Sequence, residues 1–327
     1  IKAAWRWMIA TGRTDKLVSA VSSLWLAFIY QGRPQDAFDL YAEAIDSLSE
    51  MDPADHPALA TLMQGQSYPL FILGRLGDAI EVAQRSLELV RPLGEAGTQL
   101  ILGGLTSLML HQTRVGAFAD ALASAEEALS LARASDNPTF EGLALSQIGV
   151  NAGALGNHER AERHLLEALA LFRNHDLALF EFWHRWSLGK VYLNWGRLEK
   201  ARPMFQDALE LARGREVIFN THDHLVGLGR VEFEAGRLDE ARSLCLEDLE
   251  LVREQGYSFY AQVGAHCVLG RLATVEGAGE EAEGHFVEAL KVAWPMGALP
   301  LVLECLYFMA ELRIEQGRSA EAGALID

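Results

Sequence analysis

Residues Trp195–Gly214 read WGRLEKARPMFQDALELARG, and forty residues later the chain writes nearly the same line as AGRLDEARSLCLEDLELVRE, from Ala235 to Glu254. Both stretches carry a glycine, four further residues and then an alanine, followed by apolar residues at helical spacing. The same step recurs outward in both directions, with glycines at Gly32, Gly74, Gly116, Gly156, Gly196, Gly236, Gly277 and Gly317. Each has an alanine five residues on: Ala37, Ala79, Ala121, Ala161, Ala201, Ala241, Ala282 and Ala322. The glycines are 42, 42, 40, 40, 40, 41 and 40 residues apart. A fixed period of this length is the signature of a repeat array, in which each unit covers its apolar face with the next.

Half of the 327 residues are hydrophobic and only 9 are proline. Apolar residues follow a 3.6-residue period, as in Ala208, Leu209, Leu211 and Ala212, and no stretch alternates as a strand would. Each unit therefore reads as a helical hairpin. Its first helix ends at the glycine, which adopts left-handed geometry without a side-chain penalty. Its second helix opens with an acid, at Asp36, Asp78, Asp120, Glu199, Asp239 and Glu280, where the helix dipole favours negative charge. It stops at breakers such as Pro92-Leu93-Gly94, Asp136-Asn137-Pro138, Gly256 and Pro295-Met296-Gly297. Small residues seven before the turn glycine (Gly149, Gly189, Gly229, Gly270, Ala310) let the paired helices approach closely. The predicted fold is all-α: one right-handed superhelix, or α-solenoid, spanning 1–327 and built of about eight 40–42-residue hairpins, with residues 1–31 as a lead-in segment and first helix.

A large apolar residue before the small one (Ile148, Leu188, Leu228, Leu269), alanine five after the glycine, and often another twelve after it (Ala44, Ala128, Ala168, Ala208, Ala289) resemble the tetratricopeptide repeat, or TPR. The usual TPR unit has 34 residues, so helices here must be longer. HEAT and armadillo repeats have this length but lack the glycine-to-alanine turn. Lines such as ALSQIGVNAGALGNHERAERHLLEALALFRNHD resemble the sensor arrays of STAND signal-transduction ATPases, including maltose-activator-like transcription regulators of the LuxR type. The opening AAWRWMIATGRTDKLVSAVSSLWLAFIYQGRPQDA is similar to the segment that joins the winged-helix region of those regulators to the first repeat. The resemblance implies a fragment of a longer multidomain chain, with an ATPase and winged-helix module in the same polypeptide.

No stretch approaches 18 uninterrupted apolar residues and none has signal-peptide architecture, so the expectation is a protein without membrane association. Cys245, Cys267 and Cys305 sit within helices at spacings of 22 and 38, which suits buried, reduced thiols in the cytoplasm and neither a disulfide framework nor a zinc site. A formal net charge of −17 opposes direct contact with nucleic acid. With no phosphate loop and no H-E-x-x-H motif, no enzyme activity, cofactor or metal is expected. The cluster Thr221-His222-Asp223-His224 offers two histidines about a carboxylate, but positions i and i+2 of a helix point about 200° apart, which favours polar residues between helices over a shared ion.

One set of residues remains. Trp183, Trp186 and Lys190 lie on the stripe of a first helix that faces the concave groove in TPR superhelices. Counting from neighbouring turn glycines adds Asp223, Arg230 and Glu234, then Arg271; the stripe also holds Gln64 and Tyr68 near one end and Tyr307, with Glu304 and Glu311, near the other. Rings with charges of both signs suit stacking, cation–π and bidentate contacts, although such charges also pair with each other across repeats. The expected partner is a protein, a peptide or a small-molecule inducer in the groove. Two functions follow: a sensor that controls autoinhibition of an attached ATPase, or a free-standing TPR scaffold that assembles partner proteins.

Overall fold

The computed structural model describes residues 1–29, 33–48, 56–214, 221–255 and 259–326. These form α-helices joined by short turns, with no strand among the described residues. In chain order the helices are α1 Lys2–Ala10, α2 Thr14–Ile29, α3 Pro34–Leu48, α4 His56–Ile72, α5 Leu76–Val90, α6 Thr98–Val115, α7 Phe118–Ala134, α8 Pro138–Ala154 and α9 His158–Asn174. They continue as α10 Ala178–Asn194, α11 Leu198–Gly214, α12 Thr221–Glu234, α13 Leu238–Gln255, α14 Phe259–Val275, α15 Gly279–Ala293, α16 Leu299–Glu315 and α17 Ser319–Ile326. The breaker Pro92-Leu93-Gly94 falls in a 3-10 segment, Arg91–Gly97, between α5 and α6.

From α2 onward the helices alternate as first and second members of hairpins, the TPR-like pattern of the repeat. Seven of the turn glycines have φ between 71° and 84°; Gly32, like the breaker Gly256, lies outside the described residues. In the turn at Gly196 the last carbonyls of α10 are satisfied by Gly196 N–H to Leu193 O (3.0 Å) and Arg197 N–H to Tyr192 O (2.8 Å). All eight alanines that follow the glycines are buried, where the two helices of a hairpin meet. The close approach is measurable at Gly270: a Cβ there would lie 2.5 Å from the ring of Phe286, which is itself fully buried. Gly189 is held against Phe205 in the same way.

The chain divides into two compact units, Ile1–Ile148 and Gly149–Asp327. In the first, α1 packs against α3. Its Trp5 is buried, donates Nε1–H to the carbonyl of Leu40 at 2.8 Å and meets the ring of Tyr41 edge-on at 5.7 Å. Lys2–Asp36 and Arg6–Glu43 ion pairs flank it. The lead-in helix therefore covers apolar surface of the first hairpin instead of leaving it open, although Trp7 stays exposed. In the second unit the core runs through α9 to α13 around Leu165, Phe205 and Leu225, and through α14 to α16 around Phe286 and Cys305. No described helix is long and apolar enough to cross a membrane.

Candidate partner-binding face

Within the second unit the first helices α10, α12, α14 and α16 pack in succession, each against the next. Their equivalent positions can be compared by distance from the turn glycine. The residue ten before it makes the contact to the following first helix. Trp186 donates Nε1–H to the carbonyl of Asp223 on α12 at 3.1 Å. Val226 of α12 lies against Gly264 of α14, where a Cβ would come within 2.6 Å of it. Cys267 of α14 touches Cys305 of α16, with the sulfurs 3.4 Å apart. The same register holds in the first unit: Gln64 of α4 donates Nε2–H to Leu100 O on α6 at 2.8 Å and to Ser86 Oγ at 3.0 Å. The fourth member in the second unit, Tyr307, is 55% exposed.

The residue six before the glycine carries the charge. Lys190 Nζ lies 4.7 Å from the centre of the Trp186 ring. Arg230 pairs with Glu304 at 2.6 Å, and the Glu304 charge holds the guanidinium above its ordinary pKa. Arg271 donates Nη1–H to Glu234 at 2.7 Å, with its guanidinium 4.2 Å from the ring centre of Phe233 and 4.7 Å from that of Phe308. Glu311 accepts from the Tyr307 hydroxyl and raises its pKa. In the first unit the same position is Tyr68, half-buried and edge-on to His111 at 6.2 Å, with its hydroxyl pKa raised by burial.

In the second unit the stripe residues Trp186 and Lys190 on α10, Asp223, Arg230 and Glu234 on α12, Arg271 on α14, and Glu304 and Tyr307 on α16 include three cross-helix contacts, Trp186–Asp223, Arg230–Glu304 and Arg271–Glu234, while Lys190 lies over Trp186 and Tyr307 meets Glu311 on their own helices. The side chain of Trp183 lies outside the described ones. Gln64 and Tyr68 stand in the first unit, where their partners are inter-helix hydrogen bonds and rings. A cleft of about 360 Å³ opens beside the turn between α10 and α11, lined by Leu193, Asn194, Gly196 and Leu198 together with Arg230 and Glu234 of α12. Phe233 and Phe308, which flank Arg271, escaped the sequence reading. Their signal was the spacing of Phe233 three residues after Arg230, with an apolar ring in a polar run.

The histidine cluster resolves into packing. His222 and Asp248 of α13 are both fully buried and meet Nδ1 to Oδ1 at 2.7 Å, and burial raises the Asp248 pKa. His224 points to the Phe205 ring, and burial pushes its pKa down to about 3. Among the described residues no group of three or more His, Cys, Asp or Glu side chains could hold a metal ion.

The sequence matches the family described as the MalT-like TPR region over residues 108–295. No curated protein matches it. Among solved structures, a Rap protein complexed with Competence and Sporulation Factor is 14% identical with a TM-score of 0.66, covering 95% of this chain and 96% of that one. NprR in complex with its cognate peptide NprX is 15% identical with a TM-score of 0.65, covering 94% and 86%. A STAND protein with a tetratricopeptide repeat sensor from Pyrococcus horikoshii is 18% identical with a TM-score of 0.52, covering 90% of this chain and 46% of that one. At these identities the likeness is one of fold.

Proposed function

Because the chain belongs to the family of MalT-like TPR regions, we propose that it is the ligand- or partner-sensing module of a bacterial multidomain STAND ATPase regulator, binding its partner on the concave face and controlling autoinhibition. The observation that carries this reading is the run of charges and rings on successive first helices, above all Arg230–Glu304 and Arg271–Glu234. These pairs join different repeats and are only part-buried. A ligand that offers its own carboxylate or ammonium replaces one partner in each, so binding acts on the spacing between repeats. Such a ligand shifts an equilibrium only by its difference in affinity for the two spacings. One similar fold was solved with its cognate peptide, another with Competence and Sporulation Factor, and a third belongs to a STAND protein with a tetratricopeptide repeat sensor; these support a peptide as the first class of ligand to test. The module acts by binding and carries no chemistry of its own, and we place the parent protein in the cytoplasm.

The test is a thermal-shift screen of this chain against pooled short peptides and oligosaccharides, repeated with Lys190→Ala and Arg230→Ala. A ligand raises the melting temperature of the parent, and each substitution weakens its affinity about 30-fold, the ~2 kcal/mol typical of an anchor residue. A ligand whose shift survives both substitutions overturns the site. A coding sequence with no phosphate loop and winged helix upstream of Ile1 overturns the ATPase context and leaves the scaffold reading.

A further inference from the structure

Cys267 and Cys305 are 38 residues apart in a chain whose period is 40. The position equivalent to Cys267 in the next repeat is therefore Tyr307, two residues past Cys305. Two residues along a helix is a turn of about 200°. Cys267 accordingly faces forward along the array and Cys305 faces back, and the two sulfurs meet between α14 and α16 at 3.4 Å, both buried. Cys245 is elsewhere, packed under Gly229 in the α12/α13 hairpin. A disulfide has its sulfurs about 2.05 Å apart, so the pair is roughly 1.4 Å short of a bond, within the reach of small χ1 rotations of two unbranched side chains.

The pair also lies under the candidate binding face. Glu304, which pairs with Arg230, directly precedes Cys305, and both of those charges act on the Cys267 sulfur. We propose that Cys267 and Cys305 are a modification site: a two-electron oxidant of the peroxide class joins them in a reversible disulfide that ties α14 to α16 and fixes the repeat spacing beneath Arg230–Glu304. The Cys267 thiolate attacks one peroxide oxygen, forming a sulfenic acid and releasing hydroxide. The Cys305 sulfur then attacks the sulfenic sulfur, forming the S–S bond and expelling a second hydroxide, which takes up the thiol protons as water. Two thiols lose two electrons and two protons, and one hydrogen peroxide becomes two waters. The Cys305 contact, burial and the Glu304 charge hold the Cys267 thiol well above the usual thiol range, so little thiolate forms and the reaction is slow and responds to sustained oxidant. This proposal stands apart from the identity of the groove ligand.

The experiment treats the folded protein with millimolar hydrogen peroxide, quenches with a thiol alkylator, and reads intact mass and linked peptides. With the alkylator added in denaturant, the expected product is a monomer carrying one alkyl group, on Cys245, and about 2 Da lighter than the reduced chain with one such group, with the peptides of Cys267 and Cys305 joined and released by dithiothreitol. Hydrogen exchange in α14 and α16 slows at least several-fold in the oxidised form. Cys245→Ala retains the product and Cys305→Ser abolishes it. A cross-link that involves Cys245, a bond between two chains, oxidation only to sulfinic acid, or three free thiols at a dose that fully oxidises the guanidinium-unfolded chain overturns the proposal. Unchanged exchange in a correctly linked product overturns the tie between helices.

Discussion

At the scale of single residues, the second helices are simple to explain and the first helices are not. Positions that bury alanine recur in every repeat, whereas the buried polar side chains do not. His184 and His224, each twelve residues before its turn glycine, share one position in two successive repeats, and His111 stands alone; burial pushes the pKa values of His111, His184 and His224 to about 3, about 4 and about 3. All three are neutral in the folded chain, and the unfolded chain takes up protons near pH 6.5. A folded-state pKa that is depressed gives stability that is complete above about 6.5 and lost as pH falls toward 4. Urea unfolding at pH 7.5, 6 and 5 therefore shows stability falling by about 1–2 kcal/mol per histidine over that interval, above the range where carboxylates are protonated. His266, lowered to about 4, and His285, also lowered by burial, add to the same slope, so His111→Phe removes only its own share, roughly a fifth to a quarter; neither of its ring nitrogens has a hydrogen-bond partner to lose. A flat profile from 7.5 to 5 contradicts these burials.

At the scale of the element, the hairpin is set by contacts that substitution can test. A methyl group at position 270 meets the Phe286 ring, and that ring has no free space to turn into. Gly270→Ala should destabilise by about 1–3 kcal/mol. Phe286→Leu alone also destabilises, but the double variant is more stable than the sum of the two losses by about 1 kcal/mol or more. Additive losses in a double-mutant cycle place this contact elsewhere. The helices, their turns and this close approach were legible because they repeat: Gly196 and Gly236 announce the same geometry in the same words. The candidate face was legible only as a stripe. Counting from the turn glycine located Arg230, Arg271 and Glu304 on first helices, but which charge meets which depends on the tilt between helices. Trp186 and Gln64 looked like groove residues from their spacing; each also bonds to the backbone of the next first helix, a contact set by register between repeats and not by anything local to their own. The nearness of Cys267 and Cys305 was hidden for the same reason.

At the scale of the molecule, two compact units and a repeat pattern argue against all-or-none unfolding. In an array whose repeats touch mainly their neighbours, stability is close to a sum of local terms. Three tryptophans, Trp5, Trp7 and Trp25, lie in the first unit and four, Trp183, Trp186, Trp195 and Trp294, in the second. Calorimetric enthalpy should exceed the van't Hoff value, and Gly270→Ala should lower hydrogen-exchange protection in Gly149–Asp327 while leaving Ile1–Ile148 close to the parent. Coincident transitions and uniform loss of protection would show the chain melting as one body.

The Arg230–Glu304 pair adds one term that such a sum omits. Arg230 belongs to α12 and Glu304 to α16, so the bond passes over α14 and joins repeats that are not adjacent. A stack with only adjacent links behaves as a soft spring whose compliances add along its length. A brace across two links stiffens that stretch against both bending and extension, and it can be withdrawn without breaking either hydrophobic seam. Whatever takes Arg230 away from Glu304 changes the elasticity of the stack, and that change in stiffness can reach any module fastened to its end.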